Sequence, residues 1–244
     1  MNAVLSIFKR ELSGYFGTPI AYVFLVIFLL LSGIFTFYLG QFFDRGQADL
    51  VAFFSFHPWL YLFLVPALSM RLWAEERRTG TVELLLTLPV TPWQAVLGKF
   101  LASWLFIAVA LLLTMPLWVT VNFLGDPDNG VITASYVGSL LMAGAYLAVG
   151  ASVSALTRNQ VIAFVLSMTL CFLLVLSGFP LVLDLFSSWA PDLLVDAVAS
   201  LSFLTHFSAV TRGVIDLQDL VYFISMTGFF LFVNTVIVEL KKSE

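Results

Sequence analysis

Long runs of residues without any charge are the feature of this sequence that most restricts its fold. The six longest contain 19 to 32 residues each and are Leu12–Phe43, Leu50–Met70, Phe100–Gly125, Asn129–Thr157, Asn159–Leu183 and Leu220–Val238. An α-helix rises ~1.5 Å per residue, so even the shortest run reaches about 28 Å, close to the hydrocarbon thickness of a bilayer. The runs lack the period-2 alternation of strands, and lipid leaves no backbone polar group unpaired. Each run is therefore expected to be a helix.

These runs predict an all-α membrane protein with one transmembrane domain over residues 1–244. The six expected spans are 20–43, 51–71, 93–122, 133–157, 160–184 and 219–239. The composition agrees, because 61% of the residues are hydrophobic and only 11% are charged, whereas about 25% are charged in a soluble domain. Two further charge-free gaps, Leu84–Gly98 and Ala197–Thr211, have 15 residues each. They reach only about 22 Å and are too short to cross as single helices.

The distribution of lysine and arginine predicts the orientation. With a cytoplasmic N-terminus and six spans, nine basic residues lie on the cytoplasmic side and only Arg45 and Arg212 lie outside. The nine are Lys9, Arg10, Arg71, Arg77, Arg78, Lys99, Arg158, Lys241 and Lys242. Because cytoplasmic loops carry an excess of basic residues, both termini are expected in the cytoplasm.

Residues 1–17 predict an amphipathic helix at the membrane interface. At 100° per residue, apolar side chains occupy one side and polar side chains the other. The apolar side holds Met1, Val4, Leu5, Phe8 and Leu12, and the polar side holds Asn2, Ser6, Lys9, Arg10 and Ser13. Glu11 breaks this pattern because it falls near the apolar edge. Two interpretations stay open for it, a solvated or snorkelling carboxylate and a salt bridge to the charged patch Arg71–Arg78.

The most unusual stretch of the chain is MRLWAEERRTGTVELLLTLPVTPWQAVLGKF, which begins at Met70. It holds six charged residues within thirteen positions, namely Arg71, Glu75, Glu76, Arg77, Arg78 and Glu83. Thr79-Gly80 is expected to end a helix, and Thr81 to cap a new one that has Glu83 in its first turn. Pro89 ends that second helix near Leu88.

Thr91-Pro92-Trp93-Gln94 is then expected to form a capping box with proline at N1. The helix of the third span is therefore expected to begin in the cytoplasm, before it enters the membrane. The result is a short cytoplasmic helix, 81–88, between two long ones. Its Leu84, Leu85 and Leu86 would be exposed unless a partner or the headgroups cover them.

The segment from Asp184 to Asp219 is expected outside the membrane. It contains two short apolar stretches, Leu185–Trp189 and Ala197–Phe207. Together they are compatible with a re-entrant hairpin in the outer leaflet before the last span, and equally with an interfacial amphipathic loop.

Several kinds of chemistry are excluded by missing motifs. Gly98-Lys99 lacks the upstream glycine and the following Ser/Thr of a P-loop, so the chain is not expected to hydrolyse ATP. Cys171 is the only cysteine, and His57 and His206 are the only histidines, so neither HExxH nor a cysteine metal cluster is possible. No metal site and no cofactor are expected. No span is expected to bury an acid or base apart from Asp184 at an outer edge, which disfavours an ion-coupled transporter.

Two stretches of the sequence resemble a known family. AEERRTGTVELLLTLPVTPWQAVLGKF is similar to the loop after the second span of type-2 ABC-transporter permeases, with an acidic pair, a GT-x-E-x-L segment, a proline-containing turn and a Gly-Lys. FSAVTRGVIDLQDLVYFISMTGFFLF is similar to the last outer segment and sixth span of that family. The nearest branches are the bacterial gliding-motility permease and the nitrous-oxide-reductase maturation permease.

This resemblance implies a coupling helix, roughly Thr81–Leu88, that docks into a cleft on a separate ATPase subunit. The residues it assigns to coupling are Glu75, Glu76, Arg77, Arg78, Gly80, Thr81, Glu83, Leu84, Leu85, Leu86 and Pro89, and the interfacial helix contributes Val4, Phe8, Lys9, Arg10 and Glu11. ATP and Mg²⁺ are then expected on the partner subunit only.

The resemblance also implies an assembly in the bacterial inner membrane. Two permease chains, as a homodimer or with a related permease, work with two ATPase chains, and some relatives add an auxiliary protein with a large external domain. Lipid is the other expected partner, and nucleic acid is not. The expected function is a permease, not itself an enzyme, that couples ATP hydrolysis to export or to mechanical signalling. The alternative is a membrane scaffold or an intramembrane enzyme outside this family.

Overall fold

A computed structural model describes residues 3–81, 90–187, 190–213 and 216–241, and for Phe186 it describes the backbone only. All regular secondary structure in these ranges is helical. The helices are α1 Ala3–Phe16, α2 Pro19–Ile34 with a π-helical end at Phe35–Leu39, α3 Val51–Ser55, α4 His57–Ser69, α5 Arg71–Thr79, α6 Pro92–Leu112, α7 Met115–Leu124, α8 Asn129–Leu156, α9 Gln160–Leu176, α10 Pro180–Ser187, α11 Asp192–Ala199, α12 Phe203–Val210 and α13 Leu217–Leu240. The prediction of an all-α membrane protein is thus confirmed.

Four helical stretches in the described ranges are long and apolar enough to cross a membrane. They are Pro19–Leu39, Pro92–Leu124, Asn129–Leu156 and Leu217–Leu240. The expected second span is divided into α3, α4 and α5, with breaks at Phe56 and Met70. The expected fifth span, α9, has 17 residues. By length and composition alone, the described residues therefore give four candidate spans, or five if the bent pair α11 and α12 is one span, and the expected six are not confirmed.

Helix α8 is the centre of the bundle. Within its most apolar window 83% of the residues are buried, compared with 22% for α2 and for α13. Small residues allow neighbours to approach closely: a Cβ on Gly150 would collide with Ser69 of α4, and one on Gly144 would lie 3.1 Å from the Trp104 indole nitrogen of α6. The helix is capped by Asp128, whose carboxylate accepts from two backbone amides of the first turn.

Helix α6 begins where the sequence predicts. Thr91 accepts a hydrogen bond from the backbone of Gln94, and the Gln94 side chain accepts one from the backbone of Thr91, which is a complete capping box with Pro92 at N1. The helix is interrupted at Leu113 and Thr114, just before Pro116 at the start of α7, because proline has no amide proton to continue the ladder.

The predicted helix end at Thr79-Gly80 is also confirmed. Helix α5 ends at Thr79, and Gly80 has φ +74°, the left-handed conformation that glycine adopts at little cost. Thr81 donates through its hydroxyl to the Glu76 carbonyl oxygen at 3.3 Å. The predicted helix 81–88 falls almost wholly on residues 82–89, which lie outside the described ranges, so it stays a prediction together with the roles of Glu83, Leu84, Leu85, Leu86 and Pro89.

Three short helices, α10, α11 and α12, form the segment before α13. Their limits differ from the two apolar stretches expected there: α11 begins at Asp192 and breaks at Ser200–Ser202, where the Ser202 hydroxyl caps α12. Helices α11 and α12 are bent by 66° relative to each other. This geometry fits a re-entrant hairpin or a broken span, and it does not decide between the re-entrant hairpin and the interfacial amphipathic loop.

Candidate functional site

Helix α1 lies against α6, and the contact depends on a glycine. A Cβ on Gly98 would come within 2.9 Å of the Ile7 side chain and 3.1 Å of the Val4 carbonyl oxygen. At the other end of the contact, the Tyr15 hydroxyl lies 2.8 Å from the Ser103 hydroxyl and its ring stacks on Phe106 at 5.1 Å. The amphipathic helix is therefore held along its length by the protein.

We call the charged residues where α1, α5 and α6 meet the charged junction: Arg10, Glu11, Arg71, Glu75, Glu76 and Lys99. Its central residue is Lys99, whose side chain is only 2% exposed. The Nζ of Lys99 donates to Oε1 of Glu11 at 3.0 Å and to Oε1 of Glu76 at 2.8 Å. The same ammonium lies 5.4 Å from the centre of the Trp73 ring. A buried charge is tolerated only when it is paired in this way.

Arg10 closes the junction on its outer side. Its Nη2 is 2.7 Å from Oε1 of Glu11 and 3.4 Å from Oε1 of Glu76. The Arg10 side chain is 53% exposed, so this guanidinium contributes less than Lys99 because water screens it. The carboxylates of Glu11 and Glu76, which come from distant parts of the chain, thus share the cations of Lys99 and Arg10.

Neither interpretation offered for Glu11 is correct. Glu11 is on the face of α1 that also carries Ile7 and Tyr15, one turn to either side, and its side chain is only 18% exposed. Its cation is Lys99 of α6, not an arginine of the patch Arg71–Arg78. Burial alone would raise the pKa of Glu11, but Lys99 and Arg10 together lower that pKa below its ordinary value. Glu11 is therefore ionised at neutral pH.

The remaining pair of the junction is local. Arg71 Nε donates to Glu75 Oε2 at 2.8 Å, one turn apart on α5, and both side chains are about one-third exposed. Such a pair stabilises a helix by only about 0.3–0.5 kcal/mol. It orients Arg71 and Glu75 rather than holding helices together.

Helix α5 is fastened to α8 by two side chains. The Ser154 hydroxyl of α8 accepts from the backbone amides of Trp73 (3.2 Å) and Ala74 (3.1 Å) and donates to the Met70 carbonyl oxygen (2.9 Å). The Ser154 hydroxyl therefore caps the backbone at the break between α4 and α5, although it belongs to another helix. Arg77 Nη1 donates to the Ala155 carbonyl oxygen at 2.6 Å, near the end of α8.

A cavity of about 240 Å³ lies beside the charged junction. Its polar wall is formed by Glu11, Arg71, Glu75, Glu76 and Lys99. Its apolar wall comes from α2 and α4, with Phe24 and Leu68 among its residues.

The structure brings some of the expected site residues together and separates others. Glu76, Arg10 and Glu11 meet in the charged junction, Glu75 pairs within α5, and Arg77 contacts α8. Val4 and Phe8 are partly buried, whereas Lys9, Arg78 and Gly80 are exposed. The sequence interpretation missed Lys99 and Ser154. The sequence does indicate a role for Lys99. Lys99 and Glu11 have opposite charges, and each falls on an otherwise apolar helix face.

The expectation that no span buries an acid or base, apart from Asp184, is wrong at three described positions, one of which is His57, fully buried at the start of α4. Lys99 is buried about two turns into α6, and Asp219 is buried in the first turn of α13. Asp219 Oδ1 lies 2.6 Å from His206 Nδ1, and His206 Nε2 donates to the Ser200 carbonyl oxygen at 3.0 Å. Both charges are near helix ends. In the described part of the chain, no group of three or more His, Cys, Asp or Glu could hold a metal ion.

The sequence matches the model of a known protein family. The model of the family described as "ABC-2 family transporter protein" matches residues 45–238. The matched range includes α3 to α12, most of α13 and the charged stretch that follows Met70. No curated protein gives a significant match to the chain.

Proposed function

This chain belongs to the ABC-2 transporter family, and we propose that it is the transmembrane permease subunit of a type-2 ABC transporter. The family match over residues 45–238 is the observation that carries this proposal. The chain contains no complete P-loop, so ATP hydrolysis is assigned to a separate nucleotide-binding subunit, which also binds ATP and Mg²⁺. The permease itself is not an enzyme and needs no cofactor.

The coupling region is residues 75–89, at and beyond the end of α5. The support is mechanical: α5 contacts α8 through Ser154 and Arg77, and α1 and α6 through Glu76. A force on the segment after Gly80 is therefore transmitted to α1, α6 and α8 through direct hydrogen bonds and ion pairs. Closure of the ATPase dimer is the proposed source of that push, and the helix 81–88 is the proposed contact.

The proposed topology has six spans with both termini in the cytoplasm of a bacterial inner membrane. The divided helices α3 to α5 supply the second span, and α9 supplies the fifth. The nine-to-two distribution of basic residues supports this orientation. Helix α1 lies at the cytoplasmic interface, and the bent pair α11 and α12 forms a re-entrant hairpin on the outer side.

The proposed assembly contains two permease chains and two ATPase chains, with the pathway between the permeases. An auxiliary protein with a large external domain is a further proposed partner, as in the gliding-motility and nitrous-oxide-reductase maturation branches. The complex either exports a substrate or transmits force across the membrane. A membrane scaffold or intramembrane enzyme is the rival function, and the following experiment separates it.

Co-purification tests the proposal. The tagged chain, expressed in its native host, should retain a P-loop ATPase through detergent extraction. Glu83→Arg and Leu85→Arg should each release it, because both place a cation on the proposed contact helix. Asp192→Arg and Leu193→Arg make the same changes on α11 and should leave the ATPase bound. Retention by both the Glu83 and Leu85 variants would show that the docking assignment is wrong, and no ATPase on the unaltered chain would favour the rival.

A further inference from the structure

The cavity beside the charged junction is large enough for part of a ligand only. Its volume of about 240 Å³ is below the ~300–1,000 Å³ usual for sites that enclose a whole small molecule. Gly14 and Ile20 line it and are exposed, so the cavity is open at this edge. A ligand bound here places one end inside and leaves the remainder outside.

The polar wall offers both an unused acceptor and an unused donor. Oε2 of Glu76 is buried, and it has no hydrogen-bond partner among the residues that the structure describes. Glu76 lines the cavity, and a rotation of its carboxylate is needed to present this oxygen to a ligand. Arg71 uses its Nε for Glu75, and no contact within the described ranges occupies its two terminal nitrogens. An acceptor left unsatisfied in a buried position costs free energy until a donor reaches it.

The apolar wall continues into a lipid-facing surface. Phe24 and Leu68 line the inside of the cavity. Ile20 stands at its rim, and both Ile20 and Val23 on the outer face of α2 are 55% exposed. Because α2 is long and apolar enough to cross a membrane, this exposed face is available to acyl chains.

We propose that the cavity binds the headgroup of a membrane phospholipid that carries a primary ammonium group. The ammonium donates to Glu76 Oε2, the phosphate accepts from the terminal nitrogens of Arg71, and an acyl chain lies along Ile20 and Val23. A choline headgroup has no N–H to donate, and a glycerol headgroup has no positive charge, so both leave Glu76 without its charge-assisted bond. The apolar wall selects a lipid over a free phosphomonoester.

Binding of three short-chain lipids to the detergent-purified full chain tests this proposal. The probes are dilauroyl phosphatidylethanolamine, phosphatidylcholine and phosphatidylglycerol, and retained lipid is measured by native mass spectrometry across a titration. We expect phosphatidylethanolamine to bind about tenfold more tightly than the other two, the ratio given by one charge-assisted hydrogen bond. Equal affinity for the ethanolamine and choline lipids would overturn the proposal.

Three variants assign the contacts. Glu76→Gln should abolish the preference for the ethanolamine lipid, whereas Arg71→Gln should weaken all three lipids alike because they share the phosphate. Arg78→Gln is the matched control, since Arg78 is exposed on the same helix and does not line the cavity. A preference that survives Glu76→Gln contradicts the proposal. If Glu76→Gln does not fold, two other results test the proposal. They are the ratio of lipid affinities measured for the unaltered chain and an equal loss of affinity for all three lipids in Arg71→Gln.

The proposal depends on the membrane location of the chain but not on an ATPase. The titration contains no nucleotide-binding subunit, so equal binding of the lipids leaves the coupling proposal intact. Conversely, loss of ATPase co-purification leaves the lipid site untouched.

Discussion

Lys99 is the residue on which the charged junction depends. It is 2% exposed and is the one described cation that contacts both Glu11 and Glu76 from within the bundle. Removing one partner from a buried ionic cluster is more costly than removing all of them, because uncompensated charge then stays buried. Lys99 can therefore be tested by a single substitution and a compensated one.

We expect Lys99→Met to lower the free energy of unfolding in detergent by about 3–5 kcal/mol, since it leaves two largely buried carboxylates with only the exposed Arg10 guanidinium as a cation. Chemical denaturation followed by tryptophan fluorescence measures this change. Lys9→Met, an exposed position on α1, is the control and should have little effect. The triple variant Lys99→Met, Glu11→Gln, Glu76→Gln should recover much of the loss. A single variant as stable as the unaltered chain would contradict the role given to Lys99.

At the scale of elements, the joint between α5 and α8 matters most, because it connects the proposed coupling region to the central helix. We expect Ser154→Ala to reduce stability by about 1–3 kcal/mol, since two backbone amides and a carbonyl at the α4–α5 break lose their partner. It should also reduce ATPase stimulation in the reconstituted complex more than its stability loss explains.

Ser152→Ala is the matched control for this joint. Ser152 is also buried in α8, but within the described residues its hydroxyl bonds only to the Val149 carbonyl oxygen of its own helix. If the Ser152 and Ser154 variants behave alike in unfolding and in ATPase stimulation, the joint has no special role in coupling.

Local sequence chemistry predicts some of these elements and not others. The start of α6 and the end of α5 follow from residues next to one another, namely the Thr91–Gln94 capping box and Gly80. The break at Met70 has no proline or glycine beside it, and its partner Ser154 is 84 residues away. The position of Glu11 likewise required Lys99, 88 residues later. Long-range hydrogen bonds of this kind leave little trace in a single sequence.

At the scale of the whole molecule, orientation in the membrane is the property to test. Cys171 is the only cysteine and is buried, so Cys171→Ser provides a background for single reporters. We expect cysteines at Lys9, Leu85 and Lys241 to react with an impermeant maleimide only after the cells are opened. Cysteines at Asp126 and Asp192, both exposed, should react in intact cells with a permeabilised outer membrane. Labelling of position 85 from outside would reverse the topology and remove the basis for coupling.

The pairing of Glu11 with Lys99 also has a consequence for biosynthesis. Glu11 is synthesised 88 residues before Lys99. Glu76 is synthesised 23 residues before the same lysine. During this interval both carboxylates lack the Lys99 ammonium that pairs with them in the finished protein. The pairing that joins α1 to α6 at Lys99 can therefore form only after translation has carried the nascent chain beyond residue 99.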